Sequence, residues 1–301
     1  MSEENKPTYL LYPDWDPLAE TQPVQVKRPP RRRRTSALIL GLILGILVAL
    51  YLFAPLRTNT LILGIDRAPE GTYLARTDTM ILITIFPLDP YIGMLSIPRD
   101  LWIQLPNGQN DRINTAHFFA ENSEPGTGPE AAKQAVMHNF GVDVHHYVRF
   151  QFDGFKDFVD ALGGIPIQLE EPAAGYPPGN YVLNGQQALA FVRDRQGTDD
   201  FFRMSQGQLF LRGMLSYLTK PVNWIDLVKA FPTLMRSVDT DVPIWLWPRM
   251  GIALLRAGPD GMDLRTISRE MAQGFTTSQG AQVLAPNWTL INPMLMEMFG
   301  Q

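Results

Sequence analysis

From residue 35 to residue 56 the chain carries no charged side chain, and residues 37–53 (ALILGLILGILVALYLF) are unbroken apolar sequence. About 20 such residues in a helix match the hydrocarbon thickness of a bilayer, so this segment is expected to span a membrane once. Arg31, Arg32, Arg33 and Arg34 stand directly before it and only Arg57 directly after. Cationic flanks stay on the cytoplasmic side, which puts the N-terminus inside and the long C-terminal body outside. A cleaved signal peptide is the competing reading, but the leading segment and the apolar run are both too long and no Ala-x-Ala site follows. Residues 1–34, with Pro at 7, 13, 17, 23, 29 and 30, read as a disordered cytoplasmic tail. Residues 35–57 are the transmembrane helix and residues 58–301 one extracytoplasmic domain.

Charge divides along the same line. Residues 1–34 hold seven Lys/Arg against five Asp/Glu, and the other 267 residues hold 19 against 25, so the body is acidic and nucleic acid is excluded as its partner. The absence of Cys removes thiolate catalysis, disulfides and thiolate-ligated zinc. No Gly-x-Ser-x-Gly and no Gly-rich phosphate loop ending in Lys-Ser/Thr occurs.

Strand-length apolar runs at 60–65, 80–86 and 91–97 are the kind buried on both faces beneath helices. A fourth strand at 102–105 ends in Pro106-Asn107-Gly108, a turn sequence. Helical spacing follows at 129–140, then a strand at 147–152, a helix at 154–162 capped by Asp153, and a strand at 165–169. Beyond Asn184 the chain reads as mostly helical, at 185–192, 202–218, 224–235 and 248–256, with a last apolar helix pattern after Pro286. Strands alternating with helices predict an α/β layered domain. The six Met from position 250 onward (Met250, Met262, Met271, Met294, Met296, Met298) read as core filler.

Polar residues gather where the strands end. Asp66 follows the first strand, Arg76-x-Asp78 precedes the second, Arg99-Asp100 follows the third, and Arg193-x-Arg195 ends the 185–192 helix. In open α/β sheets ligands bind outside the carboxyl ends of the strands. Beyond the apolar span the cations are 15 Arg and four Lys, and Arg presents a planar fork that grips phosphate oxygens bidentately. Two carboxylates with several arginines suit a divalent metal held against a pyrophosphate. Strand-end Asp and Arg also serve as surface ion pairs and turn caps, and spacing alone does not separate the two readings.

An ordered series of motifs narrows the choice. Leu63-Gly64-Ile65-Asp66, Arg76-Thr77-Asp78-Thr79-Met80, Ser96-Ile97-Pro98-Arg99-Asp100, Arg112-Ile113-Asn114, Phe158-Val159-Asp160-Ala161-Leu162-Gly163-Gly164, Leu183-Asn184-Gly185-Gln186-Gln187-Ala188-Leu189-Ala190-Phe191-Val192-Arg193-Asp194-Arg195 and Asp200-Phe201-Phe202-Arg203 follow one another. Over roughly residues 60–220 this resembles the LytR-CpsA-Psr family of cell-wall glycopolymer transferases. The resemblance implies a helix–sheet–helix sandwich around a mixed central sheet, behind one transmembrane helix. It implies transfer of a glycopolymer from a polyprenyl-pyrophosphate carrier to peptidoglycan or another envelope acceptor, with Mg2+ or Mn2+. By motif, Asp66, Asp78 and Arg99 would be catalytic, with Asp66 and Asp78 near the metal. Arg76, Arg99, Arg193, Arg195 and Arg203 would hold the pyrophosphate. The lipid would lie in a tunnel for which Phe150, Phe152, Phe155, Phe158 and Phe191 are candidates, although each aromatic taken singly also fits ordinary core.

Two departures from the family pattern bear on the phosphate grip. Gly207 stands where the family carries Gln, with Gln206 or Gln208 as the substitutes at hand, and the 196–199 loop is short. Two other activities fit the same residues: a polyprenyl-pyrophosphate hydrolase, and a non-catalytic lipid-binding or regulatory protein. A reporter fused after Gln301 should be active only outside the cytoplasm, and reporter activity inside it would overturn the orientation.

Overall fold

The computed structural model describes residues 34–54, 56–66, 68–69, 71–88, 91–194, 200–258 and 261–300, with the side chains of residues 34, 35, 200, 202 and 203 outside that description. The expected disordered tail, Arg31 to Arg33, Arg195 and the 196–199 loop therefore lie outside the described residues, as does the side chain of Arg203. Two compact units divide the chain, Met1–Ile46 and Leu47–Gln301. Helix α1 (Arg34–Phe53) crosses that division. Its stretch Ser36–Phe53 is, among the described residues, the one helix long and apolar enough to cross a membrane, and none of it is buried by protein.

The second unit is built on three consecutive strands whose side chains are apolar on both faces: β1 (Thr58–Ile65), β2 (Thr77–Phe86) and β3 (Tyr91–Ser96). A hairpin of β4 (Trp102–Gln104) and β5 (Asn110–Arg112) leads into helices α2 (Thr115–Ser123) and α3 (Gly128–Phe140). Strand β6 (His146–Gln151) then runs straight into α4 (Phe152–Ala161), and the hairpin β7 (Ile165–Leu169) and β8 (Gly179–Leu183) into α5 (Gly185–Arg193). Next come α6 (Asp200–Leu218), α7 (Trp224–Ser237), β9 (Val238–Thr240) and α8 (Trp247–Ala257). Strands β10 (Met262–Thr266), β11 (Ala272–Thr276) and β12 (Gln282–Pro286) precede the last helix, α9 (Trp288–Phe299).

The central sheet has the order β10-β3-β2-β1-β6-β9. Its β1–β6 and β10–β3 pairs are parallel, and its β1–β2, β2–β3 and β6–β9 pairs are antiparallel, so it is the mixed sheet expected. Because successive strand residues point to opposite faces, Leu61, Leu63, Leu82 and Leu95 pack with Ala132 and Val136 of α3 and with Ile291 and Leu295 of α9. Ile62, Ile81, Ile83 and Met94 pack the other way, against Leu211 and Leu215 of α6 and Leu254 of α8. A further cluster joins the β7–β8 hairpin to α4, α5, α6 and α7 through Ile165, Val159, Phe191, Phe210 and Ala230. Helices thus cover both faces, each buried Leu or Ile contributing about 1.5–3 kcal/mol relative to exposure.

Several local expectations change. Asp153 is not a cap: α4 starts at Phe152, its N-cap is Gln151, and Asp153 sits in the first turn paired with Lys156 at 2.6 Å. The earlier start turns the Phe152 ring inward, leaving it 9% exposed. Helix α2 escapes sequence reading because the residues it buries, Thr115, Ala116, His117 and Glu121, are mostly polar and give no apolar stripe. Strand β10 escapes because its alternating Asp263 and Arg265 look solvated, whereas Asp263 accepts from the Tyr91 hydroxyl at 2.8 Å. Of the six C-terminal methionines, Met294 and Met298 are core, but Met296 is exposed.

Candidate active site

The carboxyl ends of β1, β3 and β6 and the amino end of β2 meet at one sheet edge, because β1 pairs parallel to β6 and antiparallel to β2, and β2 antiparallel to β3. Gly64 pairs with Thr79 and Ile65 with Thr77, so Asp78 is the extra residue of a β-bulge. Bulges re-aim a side chain out of the ladder. The carboxylate of Asp78 meets Arg99, whose Nη1 donates to Oδ1 at 2.5 Å. Arg99 in turn lies 3.4 Å from Asp100, and Asp100 holds Arg112 at 3.0 Å. Asp66, one residue past β1, is paired with Arg193 from the end of α5. The Arg193 guanidinium also stands 4.7 Å from the centre of the Phe152 ring. Each of these ionic side chains keeps between 20 and 36% of its surface, so the rim is accessible to a ligand and the pairs are open to exchange.

Beneath this rim lies an apolar cavity of about 210 Å³ between the sheet and helices α4, α6 and α7. Asp78 and Arg99 stand at its wall, together with Phe150, Phe152, Phe155 and Phe158. Phe191, the fifth aromatic expected there, is 1% exposed and packs instead in the core against Tyr176 at 6.2 Å. Its position on the inner face of α5 leaves Val192, the next residue, at the cavity. A polar pocket of about 250 Å³ adjoins Asp66 and includes Gln151, Asp153 and Arg193. Arg76 is exposed at the start of β2.

Both substitute glutamines are engaged by the protein itself. Gln206 is buried, and with its amide oriented to satisfy both ends it donates to the Phe191 and Asp194 carbonyls at 2.9 and 3.3 Å and accepts from the Ala174 N–H at 3.2 Å. Gln208 donates to Ser96 Oγ at 3.2 Å and to the Arg265 carbonyl, tying α6 to the sheet. Gly207 does line the cavity, and a Cβ there would meet no atom within 4 Å.

A buried polar network that no motif revealed holds the segment before Arg76. Arg149 of β6 donates to Glu121 Oε2 at 2.9 Å and to Asp239 Oδ2 at 2.9 Å, and its guanidinium covers the Tyr73 ring at 3.8 Å. Glu121 also accepts from the Gly126 and Gly128 amides at 3.0 Å each. A Cβ on Gly128 would come within 2.7 Å of Glu121 and His117, so only glycine fits there. Arg149 Nη1 faces His117 Nε2 at 3.1 Å. Arginine cannot accept, so the His117 proton resides on Nδ1, which donates to the Ala75 carbonyl at 3.0 Å. The sequence signal for this network is Arg149, a charge inside the expected 147–152 strand; Glu121 and Asp239 lie in segments the sequence pattern does not assign to an element.

Arginine–carboxylate pairs at the rim of an apolar cavity can hold an amphiphile with an anionic head, since the two chemistries are adjacent. The chain belongs to the LytR_cpsA_psr family, whose profile it matches over residues 56–296. It is 38% identical over 142 residues to the polyisoprenyl-teichoic acid–peptidoglycan teichoic acid transferase TagU of Oceanobacillus iheyensis, a match covering 46% of this chain and 43% of that protein. The chain thus spans less than half the length of that relative. The fold is shared with B. subtilis TagV, at a TM-score of 0.66, 23% identity, and coverage of 82% of this chain and 98% of that one. It is also shared with TagT bound to LI-WTA, at a TM-score of 0.64, 20% identity, and coverage of 81% and 91%.

Burial lowers the His117 pKa from 6.5 to about 4. The unfolded chain therefore binds the extra proton first, and stability is full above pH 6.5 and falls as pH drops towards 4. The loss should amount to about 3 kcal/mol over that window. Chemical denaturation at a series of pH values should show that slope in the parent and a flatter one in His117→Asn. Equal slopes would mean that other groups carry it.

Proposed function

We propose that this protein transfers a glycopolymer from a polyprenyl-pyrophosphate carrier to peptidoglycan or another envelope acceptor, outside a membrane in which α1 anchors it with its N-terminus cytoplasmic. The observation that carries this reading is the Asp78–Arg99 pair at the wall of the apolar cavity. An anionic head at the rim and an isoprenoid in the cavity use both halves of that arrangement. The family membership, the TagU name and the teichoic-acid ligand named for TagT support it.

In this reading Arg99 and Arg193 exchange their carboxylate partners for pyrophosphate oxygens, and Arg76 and Arg112 add charge from the rim. The acceptor hydroxyl attacks the sugar-linked phosphorus, the bond from that phosphorus to the bridging oxygen breaks, and polyprenyl phosphate leaves. Arginines aimed at the leaving oxygens stabilise the charge that grows there, which is electrostatic catalysis. The acceptor proton passes to Asp66 or Asp78, whichever its guanidinium has released. Arg195 and Arg203 belong to the same proposal by their motif.

The carboxylate oxygens of the rim are the donor type that a divalent ion such as Mg2+ takes. Among the described residues no three His, Cys, Asp or Glu side chains form a metal-binding group, and the candidate ligands there are the two rim carboxylates, Asp66 and Asp78. That is the number with which Mg2+ is commonly held when substrate phosphates and water complete its shell. Bound there, Mg2+ or Mn2+ supplies positive charge against the pyrophosphate oxygens.

Asp66→Asn and Asp78→Asn should each lower transfer by roughly 100-fold, with the fold unchanged, as expected for losing one preorganised electrostatic group. Product analysis with and without acceptor glycan checks it. Wild-type transfer by both variants would reduce these residues to structural ion-pair partners, and equal phosphate release without acceptor would make the protein a hydrolase. Gly207→Gln should tighten binding of a short-chain polyprenyl pyrophosphate in calorimetry, since α6 has room for the side chain. Weaker binding would show that the open cavity wall is needed.

A further inference from the structure

Helix α7 is apolar on two sides. Leu227 and Ala230 pack into the core and Leu234 lines the cavity. Trp224, Val228, Phe231 and Met235 recur at spacings of four, three and four, which aligns them on one face of the helix, and all four are exposed. Ile225 extends that face at 67% exposure and Val228 reaches 72%. Asp226 and Lys229, paired at 3.0 Å, take the remaining side. Scattered exposed apolar residues are ordinary, but a contiguous stripe on a helix already apolar inside is the pattern of an interfacial helix.

The stripe continues onto the 3-10 turn Ile244–Leu246 that precedes α8. Ile244 is 71% and Trp245 66% exposed. Phe231 of α7 packs edge-on against Trp247 at 5.5 Å, joining the two segments. Two residues on, Arg249 donates to the Ala54 carbonyl at 3.0 Å and also to that of Leu56. These acceptors lie one and three residues past Phe53, the last residue of the apolar span, and Arg256 stands 4.9 Å over the Phe53 ring. The start of α8 is therefore fastened where the chain leaves the span, the level at which Trp side chains settle in a bilayer.

We propose that the outward face of α7 and the turn before α8 lie in the lipid–water interface, a second attachment of the domain to the membrane besides α1. The occupant is lipid rather than a second protein because the stripe is continuous with residues bonded to the end of the span. Half-submerged tryptophans keep their apolar bodies in the acyl boundary and their N–H groups towards water or backbone, as Trp224 Nε1 does in donating to the Leu218 carbonyl at 3.1 Å. With its inner face on the cavity, α7 lets an isoprenoid pass from bilayer to cavity along one helix.

The inference rests on α1 spanning the membrane, and the test separates the two. The chain has no Cys, so Ile43→Cys, Ile225→Cys, Val228→Cys, Ile244→Cys and Asn122→Cys each take one nitroxide label in the full chain, reconstituted in phosphatidylglycerol–phosphatidylethanolamine vesicles. Accessibility to oxygen relative to a water-soluble nickel complex should be raised at Ile225, Val228 and Ile244, as at Ile43 in the span, and low at Asn122 on α2. Ratios at the three positions equal to that at Asn122, with Ile43 still lipid-like, would overturn the second attachment alone. A water-like Ile43 would overturn the anchor and the attachment together. Shielding from both reagents, with spin–spin broadening that unlabelled chain dilutes away, would assign the face to a second copy and overturn the lipid reading.

Discussion

Three adjacent strands whose side chains are apolar above and below the sheet cannot leave either face to water, and the domain is arranged around covering them. On one side α3 and α9 close over Leu61, Leu63, Leu82 and Leu95. On the other side α6 and α8 cover Ile62, Ile81 and Met94, while α4, α6 and α7 stand off from β1 and β6 far enough to leave the apolar cavity. The cavity walls are the same kind of side chain as the core, so the site costs no change of composition, only of packing distance. This is why an apolar cavity and a hydrophobic core are the same residue pattern in sequence.

The sheet edge is held by a different balance. Concentrated positive charge at the strand ends repels itself, and the protein compensates by giving Arg99 and Arg193 resident carboxylates, Asp78 and Asp66. Partly exposed pairs contribute little to stability, so exchanging one of them for a ligand oxygen costs little. The deeper network around Arg149 is the opposite case. There a cation 4% exposed is met by Glu121, Asp239 and a neutral His117, and removing one partner would strand a buried charge. The shallow pairs suit ligand exchange and the deep network suits holding still the segment that leads into Arg76.

Some residues named from motifs take other places. Phe191 matched a conspicuous string, yet helix α5 turns it inward and presents Val192 to the cavity, since one step along a helix rotates a side chain by about 100°. Gln206 and Gln208 stood near the departure at Gly207, yet both are occupied in joining α6 to its neighbours. A motif carries residue type and order, and a side chain's direction depends on where its element begins and what packs against it.

The apolar span, the both-faces-buried strands, the α/β class and the Asp66, Asp78, Arg99 and Arg193 positions were legible in the sequence, because each rests on local periodicity, charge or a short ordered motif. Pairing order, the bulge that re-aims Asp78 towards Arg99, the helix α2 with its buried His117 and Glu121, and the edge strand β10 were decided by tertiary structure. Each depends on a partner distant in the chain: Asp78 on Gly64 and Ile65, Glu121 on Arg149, Asp263 on Tyr91. A buried charge looks like a surface charge until its counter-charge is brought beside it, and only the folded chain does that.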